Sequence, residues 1–201
     1  MKTFSEFSNM NSAPKVLNES VTETLMESEK TAELLSEEFF GTLSVAEDLT
    51  ESHGELGDTI RLEGVFLQSE KLNKNKRVYP KAVLEEAVRQ YEREHKNKVM
   101  LGELGHPNRA HLEISKSCIM FEDFWWKGND LWARAQVLNT KDGKKLQKMI
   151  RGGMIPGVSS RGLGSLTDVG THKVVDKNYR ITVLADVVLN PSAPDAVVKA
   201  Y

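Results

Sequence analysis

The sequence predicts an α+β fold: a closed or nearly closed, mostly antiparallel β-barrel with flanking helices, preceded by an acidic N-terminal extension that is helical or disordered. Three observations lead there. Six or seven short apolar runs, several with period-two alternation and tight turns between them, read as strands. Two stretches with apolar residues at helical spacing interrupt those runs, which gives an α+β order in which strands dominate. Charge also divides the 201 residues, with 13 acidic and 3 basic side chains in residues 1–58 against 16 acidic and 24 basic in residues 59–201. The expected organisation is therefore an extension, 1–58, on a body, 59–201.

With 39% hydrophobic residues the body can bury one real core. The single cysteine, Cys118, lies inside the apolar run "CIMF". It excludes an intramolecular disulfide and points to a reducing, intracellular compartment. No stretch approaches a membrane span, and the N-terminus lacks the apolar core of a secretory signal. The cations of the body are scattered and "FWW" carries no interleaved arginine, so neither nucleic acid nor a membrane is an expected partner.

Within the extension, Leu17, Val21, Leu25, Leu34, Leu35 and Phe39 fall at helical spacing, and a helix between Ser28 and Phe40 fits them best. "SHGELGD" reads as a linker. From Thr59 the pattern turns to period two, with Ile60, Leu62, Gly64 and Phe66 on one face of a strand. Pro80 opens a helix that carries Val83, Leu84, Ala87, Val88 and Tyr91 on one stripe. "KGND" closes a hairpin with arms at 116–126 and 131–138. A short helix follows over 141–151, with Leu146, Met149 and Ile150 inward. Strands joined by tight turns then run from "MIPGVSS" through "YRITVLADVVLN".

"GVSSRGLGS", residues 157–165, is the stretch where a nucleophile could sit. A serine needs a base to take its proton and a third group to orient that base. Among five histidines, His106 stands out because "GELGHPNRA" fixes a non-regular backbone directly after an apolar run. Asp186 lies in "ITVLADVVLN" with apolar residues on both faces, and a buried carboxylate requires a cationic or hydrogen-bonding partner. An imidazole and a structural arginine are both open to it. If 154–160 is a strand, Ser159 and Ser160 point to opposite faces, so only one of them can meet the histidine and the acid. A metal site built from Glu103, His106 and His111 has no "HExxH" or cysteine cluster behind it, so no metal or cofactor is expected.

Read together, "EGVFLQSEKLNKNKRVYPKAVLEEAV", "LGELGHPNRA", "FEDFWWKGND", "IPGVSSRGLGSLTD" and "NPSAPDA" resemble, in this order, the prohead core proteases of T-even-type tailed bacteriophages. These are serine endopeptidases similar in fold to the herpesvirus assembly protease. The resemblance implies a herpesvirus-protease-like barrel in the interior of the immature capsid in the host cytoplasm. It also implies cleavage of scaffold or core proteins, of the major capsid protein and of the protease itself. A homo-oligomer is implied because the herpesvirus relatives work as dimers. By position the nucleophile falls on Ser159, the base on His106 and the third member on Asp186, with the backbone amides of Arg161 and Gly162 as oxyanion donors and the Arg161 guanidinium as added charge. The family cuts after Glu in Leu-x-Glu or Ile-x-Glu, and the extension holds four such triplets, ending at Glu19, Glu27, Glu37 and Glu51. Seven leucines and 11 glutamates in 58 residues give about one by chance, so the excess predicts a propeptide that the enzyme removes. A pocket for glutamate implies a cation, for which Arg109, Arg151 and Arg161 are candidates. A scaffold protein of the same fold without turnover is the competing reading.

Overall fold

The computed structural model describes residues 32–36 and 59–201. Eleven strands and two α-helices follow one another in the described chain. Strand β1 is Glu33–Ser36, β2 Arg61–Gln68 and β3 Arg77–Val78. Helix α1, Lys81–Glu94, precedes β4, Leu101–Glu103, and a single 3₁₀ turn, Ile114–Lys116. The hairpin β5, Ser117–Lys127, and β6, Asp130–Val137, leads into α2, Lys141–Arg151. The remaining strands are β7, Gly157–Gly164, β8, Leu166–Asp168, β9, Lys173–Val175, β10, Arg180–Val188, and β11, Val198–Ala200.

The helices form where the apolar spacing placed them. Leu84, Ala87, Val88 and Tyr91 are the buried stripe of α1, and Pro80, which lacks an N–H that a first turn would leave unpaired, immediately precedes it. Thr140 caps α2 by accepting the amide of Gly143 at 3.1 Å. Leu146 and Ile150 face the core, whereas Met149 is 40% exposed, so the inward stripe is narrower than expected.

Strands pair into three open sheets, ordered β1-β7-β10, β11-β2-β6-β5-β4 and β3-β9-β8. The expected closed or nearly closed barrel is absent. Between β4 and β10 a single bridge, Leu104 with Val187, replaces a ladder. There the amide of Glu103 donates to the Asp186 carboxylate at 3.0 Å instead of to a strand carbonyl. Between β7 and β11 another lone bridge, Gly157 with Val197, is flanked by Pro156, Pro191 and Pro194, residues without a donor to extend a ladder. The sheets are thus held by side chains packed between their faces, chiefly Leu62, Phe66, Ile119, Leu131, Val158 and Leu184. Strand pairs are antiparallel except β3 with β9.

The helix expected between Ser28 and Phe40 is also overturned in part, because Glu33–Ser36 is a strand that lies antiparallel along β7. An open edge of β7 offers these residues hydrogen-bond partners and buries Leu35 to 1% exposure, which outweighs a weak helical pattern. The rest of that expected helix lies outside the described residues.

Candidate active site

Strand β7 is buried along nearly its whole length, with Ser159, Ser160 and Arg161 at 3%, 5% and 0% exposure. The pleat puts Ser159 and Arg161 on one face and Ser160 and Gly162 on the other. Strand β10 pairs with it so that Asp186 lies directly opposite Ser159, and opposed residues of an antiparallel pair share a face. His106 reaches that face from the loop after β4. Gly105 turns the chain with φ +89° and donates its amide to the carbonyl of Val187 at 2.8 Å, next to Asp186 in sequence. This places His106 Nδ1 3.1 Å from Asp186 Oδ2, with both side chains all but completely buried. The two atoms stand at ion-pair distance without an aligned hydrogen bond between them.

Both partners left open for Asp186 are present. Besides His106, the carboxylate takes Arg161 Nε at 2.7 Å on Oδ2 and Arg161 Nη2 at 3.0 Å on Oδ1, with the Glu103 amide as a further donor. Arg161 continues to Glu103 Oε1 at 3.2 Å, and its Nη1 donates to the carbonyls of Arg109 and His111, each at 3.0 Å. The guanidinium is therefore the ion-pair partner of Asp186, set inside the fold.

Glu103 anchors the other end of this network. Burial pushes its carboxyl up, but the Arg109 fork at 2.7 and 3.1 Å, the Glu113 amide and Arg161 more than offset that, so it stays below the usual carboxylate range. A carboxylate taken by arginines does not offer itself to a metal with His106 and His111. Tyr91 stands close by, its hydroxyl pushed up to about 12 by burial, with the Asp186 charge adding to the shift.

The amides of Arg161 and Gly162 belong to a strand paired on both edges: Arg161 lies opposite Val183 of β10 and Ser36 of β1, Gly162 opposite Ile181 and Leu35. Beside the strand, a pocket is lined by Phe66, Gln68, Lys71, Ser159, Ser160 and Ser192, among others. None of Arg109, Arg151 and Arg161 lines it. The cation that does is Lys71, paired with Asp195, while Gln68 bridges Asp130 and Asp195 at 2.9 Å each. Lys71 does not stand out in the sequence because it sits in a polar loop with two other lysines, Lys74 and Lys76. No sequence signal marks it, because its loop and "NPSAPDA" are far apart along the chain and meet only in the fold, where Lys71 pairs with Asp195. Glu19, Glu27, Glu37 and Glu51 lie outside the described residues.

The family profile of the prohead core protein serine protease matches residues 28–201. This chain belongs to that family. It is 50% identical over 139 residues to the prohead core protein protease of Enterobacteria phage T4, an alignment that spans 67% of this chain and 66% of the T4 protein. Its structure is similar to that of the bacteriophage T4 capsid assembly protease, with a TM-score of 0.68 and 41% identity over 79% of this chain and 99% of that one. The profile match begins at residue 28, ahead of β1, so the family's own pattern includes the strand laid on β7 as well as the body.

Proposed function

We propose that this chain is a serine endopeptidase of the phage prohead, with Ser159 as nucleophile, His106 as base and Asp186 as the residue that orients the base. It cleaves scaffold and capsid proteins, and its own extension, after glutamate in Leu-x-Glu or Ile-x-Glu. The observation that carries this reading is the buried 3.1 Å contact of His106 with Asp186, made on the strand pair that sets Asp186 opposite Ser159.

In the first step Ser159 Oγ bonds to the scissile carbonyl carbon while its proton passes to His106 Nε2. Asp186 holds the Nδ1 proton and supports the imidazolium. The oxyanion that forms needs donors already in place, and because the amides of Arg161 and Gly162 follow one another in a strand and point to opposite edges, at most one of them serves it. Collapse breaks the C–N bond, and His106 returns the proton to the leaving amine. A water then attacks the acyl-serine with His106 again as base, which releases the new carboxyl end and restores the hydroxyl.

The test is cleavage of a Leu-x-Glu peptide by Ser159→Ala, His106→Ala and Ser160→Ala variants. The first two are expected to lose on the order of 10⁴-fold or more in kcat, as units of a triad do. Ser160→Ala keeps kcat because its side chain lies on the face away from His106 and Asp186, and any effect falls on KM, since Ser160 lines the pocket beside the strand. Equal inertness of wild type and Ser159→Ala under capsid-like crowding would favour a scaffold protein instead.

A further inference from the structure

Strand β1 runs antiparallel along the edge of β7 that β10 leaves open, with Leu35 opposite Gly162 and Ser36 opposite Arg161. Leu35 therefore lies on the face of Ser160 and Gly162, where its side chain joins the core cluster. A strand added to an open edge, with alternate side chains entering pockets, is one of the recurring ways a protein binds an extended peptide.

We propose that this edge of β7 is the peptide-binding edge of the protease, and that residues 33–36 occupy it in cis as a substrate-like strand. The inference rests on the reading of Ser159 as nucleophile. A peptide seated in the register of β1 runs toward Ser159, and two more residues in that register fall opposite Ser160 and Ser159. The bond between those two is the one presented to the hydroxyl. Counted from the leucine opposite Gly162, it follows the third residue, which is the spacing of the four Leu-x-Glu triplets. In the sequence, the bond after Glu37 has that spacing from Leu35.

The pleat also assigns the side chains. Leucine and the third residue share the Ser160 face, while the residue between them turns to the other side. The third side chain thus points to the pocket beside Ser160, where Lys71 is the cation among the lining residues. A glutamate there shares Lys71 with Asp195, which explains why neither Arg109 nor Arg161 need leave the buried network. While β1 is seated, other peptides are excluded from the edge, and a tethered strand competes at an effective concentration in the millimolar range.

The experiment measures binding rather than turnover. A fluorescent peptide of residues 32–38, AELLSEE, is titrated into full-length Ser159→Ala and into Ser159→Ala with Leu35→Asp. The second protein is expected to bind it at least about tenfold tighter, since unseating the strand raises the competent fraction. Leu35→Ala, a milder change, is expected to fall between them. The peptide with aspartate in place of leucine, or glutamine in place of the third-position glutamate, is expected to bind the unseated protein about tenfold more weakly, and Lys71→Met to erase the second difference only. Equal affinity of seated and unseated proteins overturns cis occupancy, and indifference to the peptide's leucine overturns the edge itself. Since both proteins lack the hydroxyl, neither result depends on Ser159 being the nucleophile, which the cleavage assay decides separately.

Discussion

Arg161 and Asp186 form a completely buried two-point ion pair, Nε to Oδ2 at 2.7 Å and Nη2 to Oδ1 at 3.0 Å, on the strand pair that also carries Ser159. Removing one member leaves the other charge without compensation in the interior. Arg161→Met is expected to cost about 3–5 kcal/mol of unfolding free energy, measured by urea denaturation. Arg161→Lys keeps the charge but not the fork that meets Asp186, Glu103 and two carbonyls, so it is expected to recover less than half of the loss. Full stability of Arg161→Met would mean that the pair is incidental to the fold.

The same network predicts a pH dependence. Arginine and amide donors hold Glu103 below its ordinary value of 4.5, so the folded protein binds this proton less readily than the unfolded chain. That contribution is complete above the ordinary value and is lost as pH falls through the depressed one. Glu103→Gln is expected to lower the melting temperature at pH 7 and to approach the wild-type melting temperature in acid, below pH 4.5. Parallel melting curves for the two proteins across this range would contradict the assignment.

Cys118 is buried, and burial pushes its thiol up, with the Asp186 charge adding to the shift. Since the thiolate is the reactive species, iodoacetamide is expected to leave the native thiol unmodified and the peptidase fully active, with labelling only in denaturant. Rapid native labelling with loss of activity would point to a thiol in the site.

How far the sequence could foretell this depended on whether a feature was local. The period-two pattern on either side of Asp186 implied a carboxylate among apolar residues, and a buried charge needs partners, so a cationic or hydrogen-bonding neighbour was legible in the sequence. That Asp186 would engage an arginine and an imidazole together was not, because Arg161 and His106 reach it by strand register and by the Gly105 turn. Barrel closure failed at two short seams where prolines and a carboxylate displace the ladder, and strand counting cannot see that. Strand β1 was missed since its leucines fit a helix as well as an extended segment, and only the open edge of β7 decides between them.

Gly162 links the core to the proposed peptide edge. A Cβ built there would lie 2.4 Å from a carbon of the Tyr179 ring, which is buried and packs edge-on against Tyr79 with centroids 5.2 Å apart. The ring cannot retreat without disturbing Tyr79, which lines the pocket beside Ser160. Gly162→Ala is therefore expected to destabilise the protein by about 1–3 kcal/mol, the usual range for overpacking. Because Gly162 also faces Leu35 in β1, the variant is expected to weaken AELLSEE binding in the Ser159→Ala, Leu35→Asp background as well. Gly164→Ala supplies the control, since its nearest contact with Tyr179 is 3.1 Å and it lies one pleat farther from Ser159. A loss of stability in Gly162→Ala with peptide affinity unchanged would separate the tyrosine packing from the peptide edge and confine Gly162 to the core.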